Sequence, residues 1–289
     1  MYAELHALTN FTFLEGASHP DELVAHAAEL GYAALAIADR HSLAGVVRGH
    51  RAAKEAGLKL LIGAEIRPRD AWPTVLLATD QAAYGRLARL LTVGCRRAAK
   101  GACELYWDDL AAHADGLLAC VLAAPDPLLD PSDLKTGTHH DANTPIRHRT
   151  ESPRRAAERG EISAAELARY RELFGDRCYL LAELHRGPVD AQRLERWIAL
   201  ARRQRVPLAA GGGVCYHTAA RQPLHDVLRA IRRGTIVGDP QAALHPNAER
   251  HLKSPQQMAA LFAAAPQAIA VAAEAAERCR FSLDALRYE

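Results

Sequence analysis

The chain is 289 residues long, 49% hydrophobic and 24% charged, with a formal net charge of +2. That apolar content can fill a complete core, and the near balance of charge argues against a surface given over wholly to a polyanion. No run of about 18 apolar residues and no basic-then-apolar leader is present, so neither a membrane helix nor export is expected.

Residues 5–8 read as a first strand. Ser18-His19-Pro20-Asp21-Glu22 opens a helix, with Ser18 as cap and acids in the first turn. Residues 33–39 form a second strand, 43–56 a helix closed by Gly57, 58–65 a third strand and 74–79 a fourth. Residues 80–100 read as a long helix with Leu87, Leu90 and Leu91 on one face. A strand at 115–123 precedes residues 125–159, which are rich in Pro, His, Thr and Arg without period. That composition cannot bury a face and predicts a long loop or disordered insert. A helix over 163–174, a strand over 178–184, a helix over 190–204 and a strand over 207–210 follow. Residues 223–279 read as helices broken near Gly238-Asp239-Pro240. Repeated strand–helix units without a sustained antiparallel pattern predict a parallel α/β barrel.

Cysteines 95, 103, 120, 178, 215 and 279 are scattered, with no C-x-x-C pair, which predicts reduced thiols in a cytoplasmic protein. The basic clusters Arg202-Arg203-Gln204-Arg205 and Arg229 to Arg233 fit solvated helix faces better than a phosphate track. Gly211-Gly212-Gly213 lacks the Lys-Ser/Thr of a phosphate loop and the nucleophile of an esterase elbow, so it is expected to be a strand-to-helix turn. His139, His140 and His148 lie in the irregular insert, where a solvated loop is the simpler reading than a metal site. Gln256 to Phe262 faintly resembles a sliding-clamp peptide, yet Met258, Leu261 and Phe262 are spaced for a buried helix face.

The chemistry-bearing pattern lies where apolar runs end. His6 and Glu15 follow the first strand, Asp39 and His41 the second, and Glu65 the third. Strand ends at a barrel rim can converge several N and O donors on one point, which is what a divalent metal requires. Each of these residues alone could equally be a polar loop residue.

Residues 3–48, from AELHALTNF to AGVVR, together with LHPNAERHLKSPQQMAALF and the terminal RCRFSLDALRYE, resemble the PHP (polymerase and histidinol phosphatase) superfamily. The likeness is to the PHP domain that opens bacterial C-family DNA polymerases, in the error-prone, damage-tolerant branch. It covers about residues 1–124 and 163–289. The resemblance implies a distorted parallel (β/α)7-type PHP barrel with C-terminal helices, forming one domain over 1–289. The insert at 125–159 interrupts it, and a helical part from about 223 leads toward an absent polymerase core.

Active members of that family carry His-x-His on the first strand, Asp-His after the second, Glu after the third and Asp-x-His after the last. By resemblance, His6, Asp39 and Glu65 occupy metal positions here. Leu8 replaces the second histidine, Arg40 stands where the Asp-His histidine belongs with His41 one residue out of register, and Gly213 and Cys215 replace the last pair. Arg40 adds a fixed positive charge that repels a dication, so an ion pair from Arg40 to Asp39 or Glu65 is expected.

The implied function is a non-catalytic, structural PHP domain with no cofactor of its own. The parent enzyme would polymerise DNA across damage in repair and replication, using Mg²⁺ and a palm domain outside this chain. The chain would thus be an excised domain or a truncated reading frame. Its implied partners are the polymerase core, DNA through the parent enzyme, and other mutasome or replisome proteins; no membrane is involved. The alternative is a metal-dependent phosphoesterase or 3′–5′ exonuclease, with Zn or Mn on His6, Asp39 and Glu65. A free-standing nucleic-acid-binding module using the arginine clusters is a third reading.

Overall fold

A computed structural model describes residues 1–126 and 160–286. Seven strands form one sheet in chain order: β1 Ala3–Ala7, β2 Ala34–Ile37, β3 Lys59–Ile66, β4 Thr74–Ala78, β5 Leu117–Leu122, β6 Cys178–Glu183 and β7 Leu208–Gly211. The sheet curls until its edges meet. Leu8 N donates to Val214 O at 2.8 Å, and Val214 N donates to His6 O at 3.0 Å, so the segment after β7 bonds to the end of β1.

The expected barrel is therefore present, but it is not parallel throughout. β4 runs antiparallel to both β3 and β5, while β1–β2, β2–β3, β5–β6 and β6–β7 are parallel. Only residues 67–73 join β3 to β4, too few for a parallel crossover, which takes a dozen or more residues. The reversal left no mark in the apolar pattern because every residue of β4 is buried, so no polar face alternates with a buried one.

Nine α-helices are described: α1 Pro20–Glu29, α2 Val46–Ala56, α3 Gln81–Arg97, α4 Trp107–His113, α5 Ala164–Phe174, α6 Asp190–Gln204, α7 Gln222–Arg233, α8 Pro255–Leu261 and α9 Gln267–Arg278. Asp80 caps α3 by accepting from Ala83 N at 2.8 Å, and that helix buries Leu87, Leu90 and Leu91 as its spacing predicts. Ser18 does not cap α1. Glu22 accepts from His19 N at 2.8 Å instead, while Ser18 Oγ accepts from His217 N at 2.9 Å and pins the segment after β7 to the loop after β1. Ala268, Ala272, Ala275 and Ala276 of α9 are buried where that helix packs on β1 and β7, so small side chains let it lie close over the barrel seam. Met258 and Phe262 are core residues, as the buried-face reading of that segment requires. His139, His140, His148 and nearly all of the 125–159 insert lie outside the described residues. Among the described residues no helix is long and apolar enough to cross a membrane.

The β3–β4 contact leaves no room for a side chain at Gly63, where a Cβ would fall 2.4 Å from Leu76 O. Gly63→Ala should cost about 1–3 kcal/mol by forcing two paired strands apart. Gly85→Ala, in open space on α3, should instead add about 0.5–1 kcal/mol. Denaturant unfolding of the two variants checks both signs.

A candidate site filled with arginine and carboxylate

Six of the seven strands point their C-terminal ends to one rim of the barrel, with only β4 reversed. The cavity there is lined by His6, Glu15, Arg40, Glu65, Arg67, Asp126, Glu183, Arg229 and Arg250, together with Leu8, Gly213, Cys215 and His225. Glu65 is among the most heavily paired of its carboxylates. A backbone bridge sets Arg40 beside Glu65, because β2 and β3 are still paired where their acid and base emerge.

Glu65 is wholly buried, yet it is surrounded by cations. Arg40 Nη2 donates to its Oε2 at 3.2 Å, Arg67 Nε donates to its Oε1, and His6 Nε2 lies 3.4 Å from Oε2. Burial alone would push this carboxyl up, but Arg40 and Arg67 hold it well below the usual carboxylate range. On its other side His6 Nδ1 donates to Glu183 Oε1 at 2.7 Å. Burial opposes charging of His6, but Glu183 and Glu65 outweigh it and push the imidazole up to about 10, so it is an imidazolium at neutral pH. Arg40 also donates to Glu15, which receives Arg232 from α7 as well. Of the two partners expected for Arg40, Glu65 is the one it takes, with Glu15 as the second.

The remaining sequence candidates occupy different environments. Asp39 is buried and accepts from Thr9 N at 2.7 Å, Thr9 Oγ1 at 2.8 Å and Thr12 Oγ1 at 2.7 Å. It closes the turn after β1 and does not line the cavity. His41 has φ of 51°, donates its backbone N–H to Glu65 O, and accepts from Arg67 N at Nε2. Burial and the nearby Arg40 charge push its imidazole down to about 4, so it stays a neutral acceptor that positions Arg67. Leu8 and Cys215 pack against each other with Ala17 and Tyr216 in a small apolar cluster. Two positions where the family pattern expects ligands thus bond to each other by apolar contact. Gly213 has φ of 54°, and a Cβ there would fall 2.5 Å from Glu183 Oε2. The Glu183 carboxylate occupies the space a side chain at 213 would need.

A second cluster continues the first. Asp126, just after β5, lies 3.2 Å from His245 Nε2, 3.5 Å from Arg229 Nη1 and 3.6 Å from Arg250 Nη2. Burial would raise its pKa, but Arg250, His245 and Arg229 hold it well below the ordinary carboxylate range. The expectation that Arg229 lies on a solvated face is corrected here: it is 5% exposed and faces the barrel, whereas Arg202 and Arg203 of α6 are exposed as expected. His225 stacks on His245 with centroids 5.2 Å apart, and burial pushes it down to about 3.

Sequence reasoning missed Glu183, Asp126, Arg67 and Arg250, and it placed Arg229 in the wrong environment. Glu183 ends the run Leu180-Leu181-Ala182 just as Glu65 ends its own, so the strand-end rule that found one could have found the other. Arg250 lies in irregular chain inside a segment that carries the family resemblance, but no pattern there marks it as facing the rim.

The donors that the resemblance assigns to a metal do not fit one as they stand. Both His6 nitrogens face carboxylates, the Glu65 oxygens face two guanidinium groups, and Asp39 is saturated by threonines. Among the described residues no group of three or more His, Cys, Asp or Glu is placed to hold a metal ion. Cys215 is no activated nucleophile either, since burial pushes its thiol up to about 12. Four lining carboxylates, from Glu15, Glu65, Asp126 and Glu183, are met by guanidinium groups and one imidazolium from the chain itself.

The PHP domain family matches residues 4–182, more than half of the chain. Error-prone DNA polymerase of Rhodopirellula baltica is 44% identical over 288 residues, covering 100% of this chain and 23% of the relative. Error-prone DNA polymerase of Aromatoleum aromaticum is 43% identical over 290 residues, covering 100% and 24%. The chain therefore spans about a quarter of the length of the curated relatives it matches. Among solved structures, a Bifidobacterium adolescentis protein assigned by name as a metal-dependent phosphoesterase is 18% identical, with a TM-score of 0.46 over 90% of this chain and 95% of that one. With the PHP match spanning β1 to β6 and the strand-end site lying on the rim those strands build, the chain belongs to the PHP domain family.

Proposed function

We propose that this chain serves as the non-catalytic PHP domain of an error-prone DNA polymerase, and that its rim is a structural charge cluster with no cofactor of its own. The parent enzyme would carry out DNA-directed, damage-tolerant synthesis in repair and replication in the cytoplasm. Its Mg²⁺-dependent chemistry would lie in polymerase core domains outside this chain. Those core domains, DNA held by them, and other mutasome or replisome proteins would be its partners. The relatives' names support the polymerase assignment. The observation that carries the structural role is the saturation of Glu65 by Arg40, Arg67 and His6.

Each charge in the cluster belongs to a different element. Glu65 ends β3, His6 ends β1, Glu183 ends β6, Arg40 follows β2, Glu15 lies in the loop after β1, and Arg232 ends α7. Apart from Glu65–Arg67, two residues apart on one segment, these ion pairs are tertiary ties. Removing one partner of a buried pair leaves an uncompensated charge, whereas replacing the whole group by apolar side chains can be neutral.

Arg40→Met should cost about 3–5 kcal/mol and lower Tm, since it strips both Glu65 and Glu15 of a buried partner. Adding Glu65→Leu to that variant should restore part of the loss. Thermal unfolding reads both outcomes, and an unchanged Tm in Arg40→Met would sink the structural reading. The metal-dependent phosphoesterase or exonuclease alternative is tested on the same protein: phosphodiester hydrolysis with Mn²⁺ or Zn²⁺ that disappears in Glu65→Gln would favour it.

Acid should loosen the rim before its carboxylates titrate. His225 is lowered to about 3 from an ordinary value of 6.5, so its folded form resists protonation. The unfolded chain then binds more protons below pH 6.5, and stability falls as pH drops from there, by at most about 1.4 kcal/mol per pH unit for this group. Glu65 and Asp126, held low, add their own loss only below the ordinary carboxylate range. His225→Phe should make the decline in Tm between pH 6.5 and pH 4.5 shallower without abolishing it, because His41, His185 and His245 are held low as well, and a wild-type slope in that variant would show that His225 does not contribute.

A further inference from the structure

Of the twelve large apolar or aromatic side chains exposed among the described residues, seven fall on two adjoining segments of the rim. Leu224, Val227 and Ile231 form an i, i+3, i+7 stripe on the outer face of α7, the last of them 57% exposed. Ile236 and Val237, just past that helix, extend the stripe through a turn held by Thr235 Oγ1 donating to Asp239 at 2.9 Å. Phe11 and Phe13, the latter 77% exposed, stand on the loop after β1. The Glu15–Arg232 ion pair fastens this loop to the end of α7. It therefore brings the segment carrying Phe13 to the segment carrying Ile231.

The inner face of α7 is committed to the charge cluster. His225 and Arg229 are buried on it, and Arg229 faces Asp126. One helix thus has a charged inner face locked into the barrel and an apolar outer face in water. A stripe at this spacing is the anchor pattern of a helix that seats in a protein groove, and contiguous exposed apolar surface of this kind marks an interface.

From this we infer that the outer face of α7, the turn after it and the Phe11–Phe13 loop form the surface on which the rest of an error-prone polymerase docks. The inference rests on the reading of the chain as a polymerase PHP domain. The occupant is the protein that makes up the other three quarters of the relatives' length, since this chain accounts for only 23% and 24% of them. It must present an apolar surface, because the exposed part of the stripe is hydrocarbon and Arg232 and Arg221 are already paired with Glu15 and Glu22. The charge cluster then has a second task, which is to hold the loop and the helix in one orientation for that partner.

The test uses this chain alone, and the same chain placed in the Rhodopirellula baltica polymerase in exchange for the region it matches. Hydrogen exchange of the amides in 222–239 and 9–15 should slow at least tenfold in the joined protein relative to the chain alone. Val227→Asp with Ile231→Asp should abolish that slowing, and Phe13→Ser should reduce it. All three should leave the Tm of the isolated chain unchanged, since these side chains are exposed. Ala82→Asp is the control: β4 is reversed, so α3 begins at the opposite end of the barrel, and this exposed residue should change nothing.

Equal exchange in the two contexts would overturn the inference. So would sedimentation of the isolated chain as a dimer that the double variant dissolves, because the face would then belong to a second copy. Protection conferred by duplex DNA on the isolated chain would overturn it as well. These outcomes leave the Arg40→Met stability test untouched, so failure of the docking surface and failure of the structural reading are separable.

Discussion

The rim of this barrel depends on one constraint: a wholly buried carboxylate, Glu65, must find positive charge within hydrogen-bond reach. An isolated carboxylate cannot ionise in such a place without a large desolvation penalty. Arg40 and Arg67 supply the charge, and each reaches Glu65 because of a backbone feature. The bridge between Arg40 and Glu65 sets the first, and the bond from Arg67 N to His41 sets the second. His6 then lies between Glu65 and Glu183, so the strand ends of β1, β3 and β6 share one chain of charges.

That dependence explains what residue patterns reveal and what they hide. The strands were legible because each is a short apolar run with a break at its end, and most helices because apolar spacing and opening residues such as Ser163 are local; the seven-residue α4 is too short to show a period and was not. Arg40 in place of the expected histidine was equally legible, and of the two partners it suggested, Asp39 and Glu65, it takes Glu65. Asp39 was not legible in the same way. A strand-end acid looks identical in sequence whether it meets a metal or the hydroxyl groups of Thr9 and Thr12. Asp126 and Arg250 are separated by more than 120 residues, and nothing in either segment announces the other. The reversal of β4 was hidden for a related reason, because a strand buried on both faces carries no directional pattern.

The residues at the positions where the resemblance expects ligands fit one another. Gly213 leaves room for the Glu183 carboxylate, and that carboxylate is the main charge that raises His6. Leu8 and Cys215 convert two polar positions into an apolar contact across the seam between β1 and the segment after β7. These changes are mutually consistent. Restoring one ligand alone would place a polar group against Leu8 or Cys215, or a side chain into Glu183, so a single reversion does not rebuild a metal site.

A guanidinium group also differs from a dication in ways that bear on the proposed role. It is tethered to the chain, so the charge balance of the rim does not depend on metal supply. It donates in a fixed planar fork, which orients its partners, and it has no open coordination position at which water could be activated. A rim built this way gains permanence and, on the proposed reading, gives up a route to hydrolysis. Because Arg232 and Arg229 place α7 within the same network, that permanence extends to the outer apolar face of the helix. A surface that must meet a large partner in one orientation benefits from such rigidity, since ordering costs are then met on folding and not on association. On the proposed reading the interface is anchored by Glu15 and Asp126, which take Arg232 and Arg229 of α7, while Arg40 joins Glu15 to Glu65.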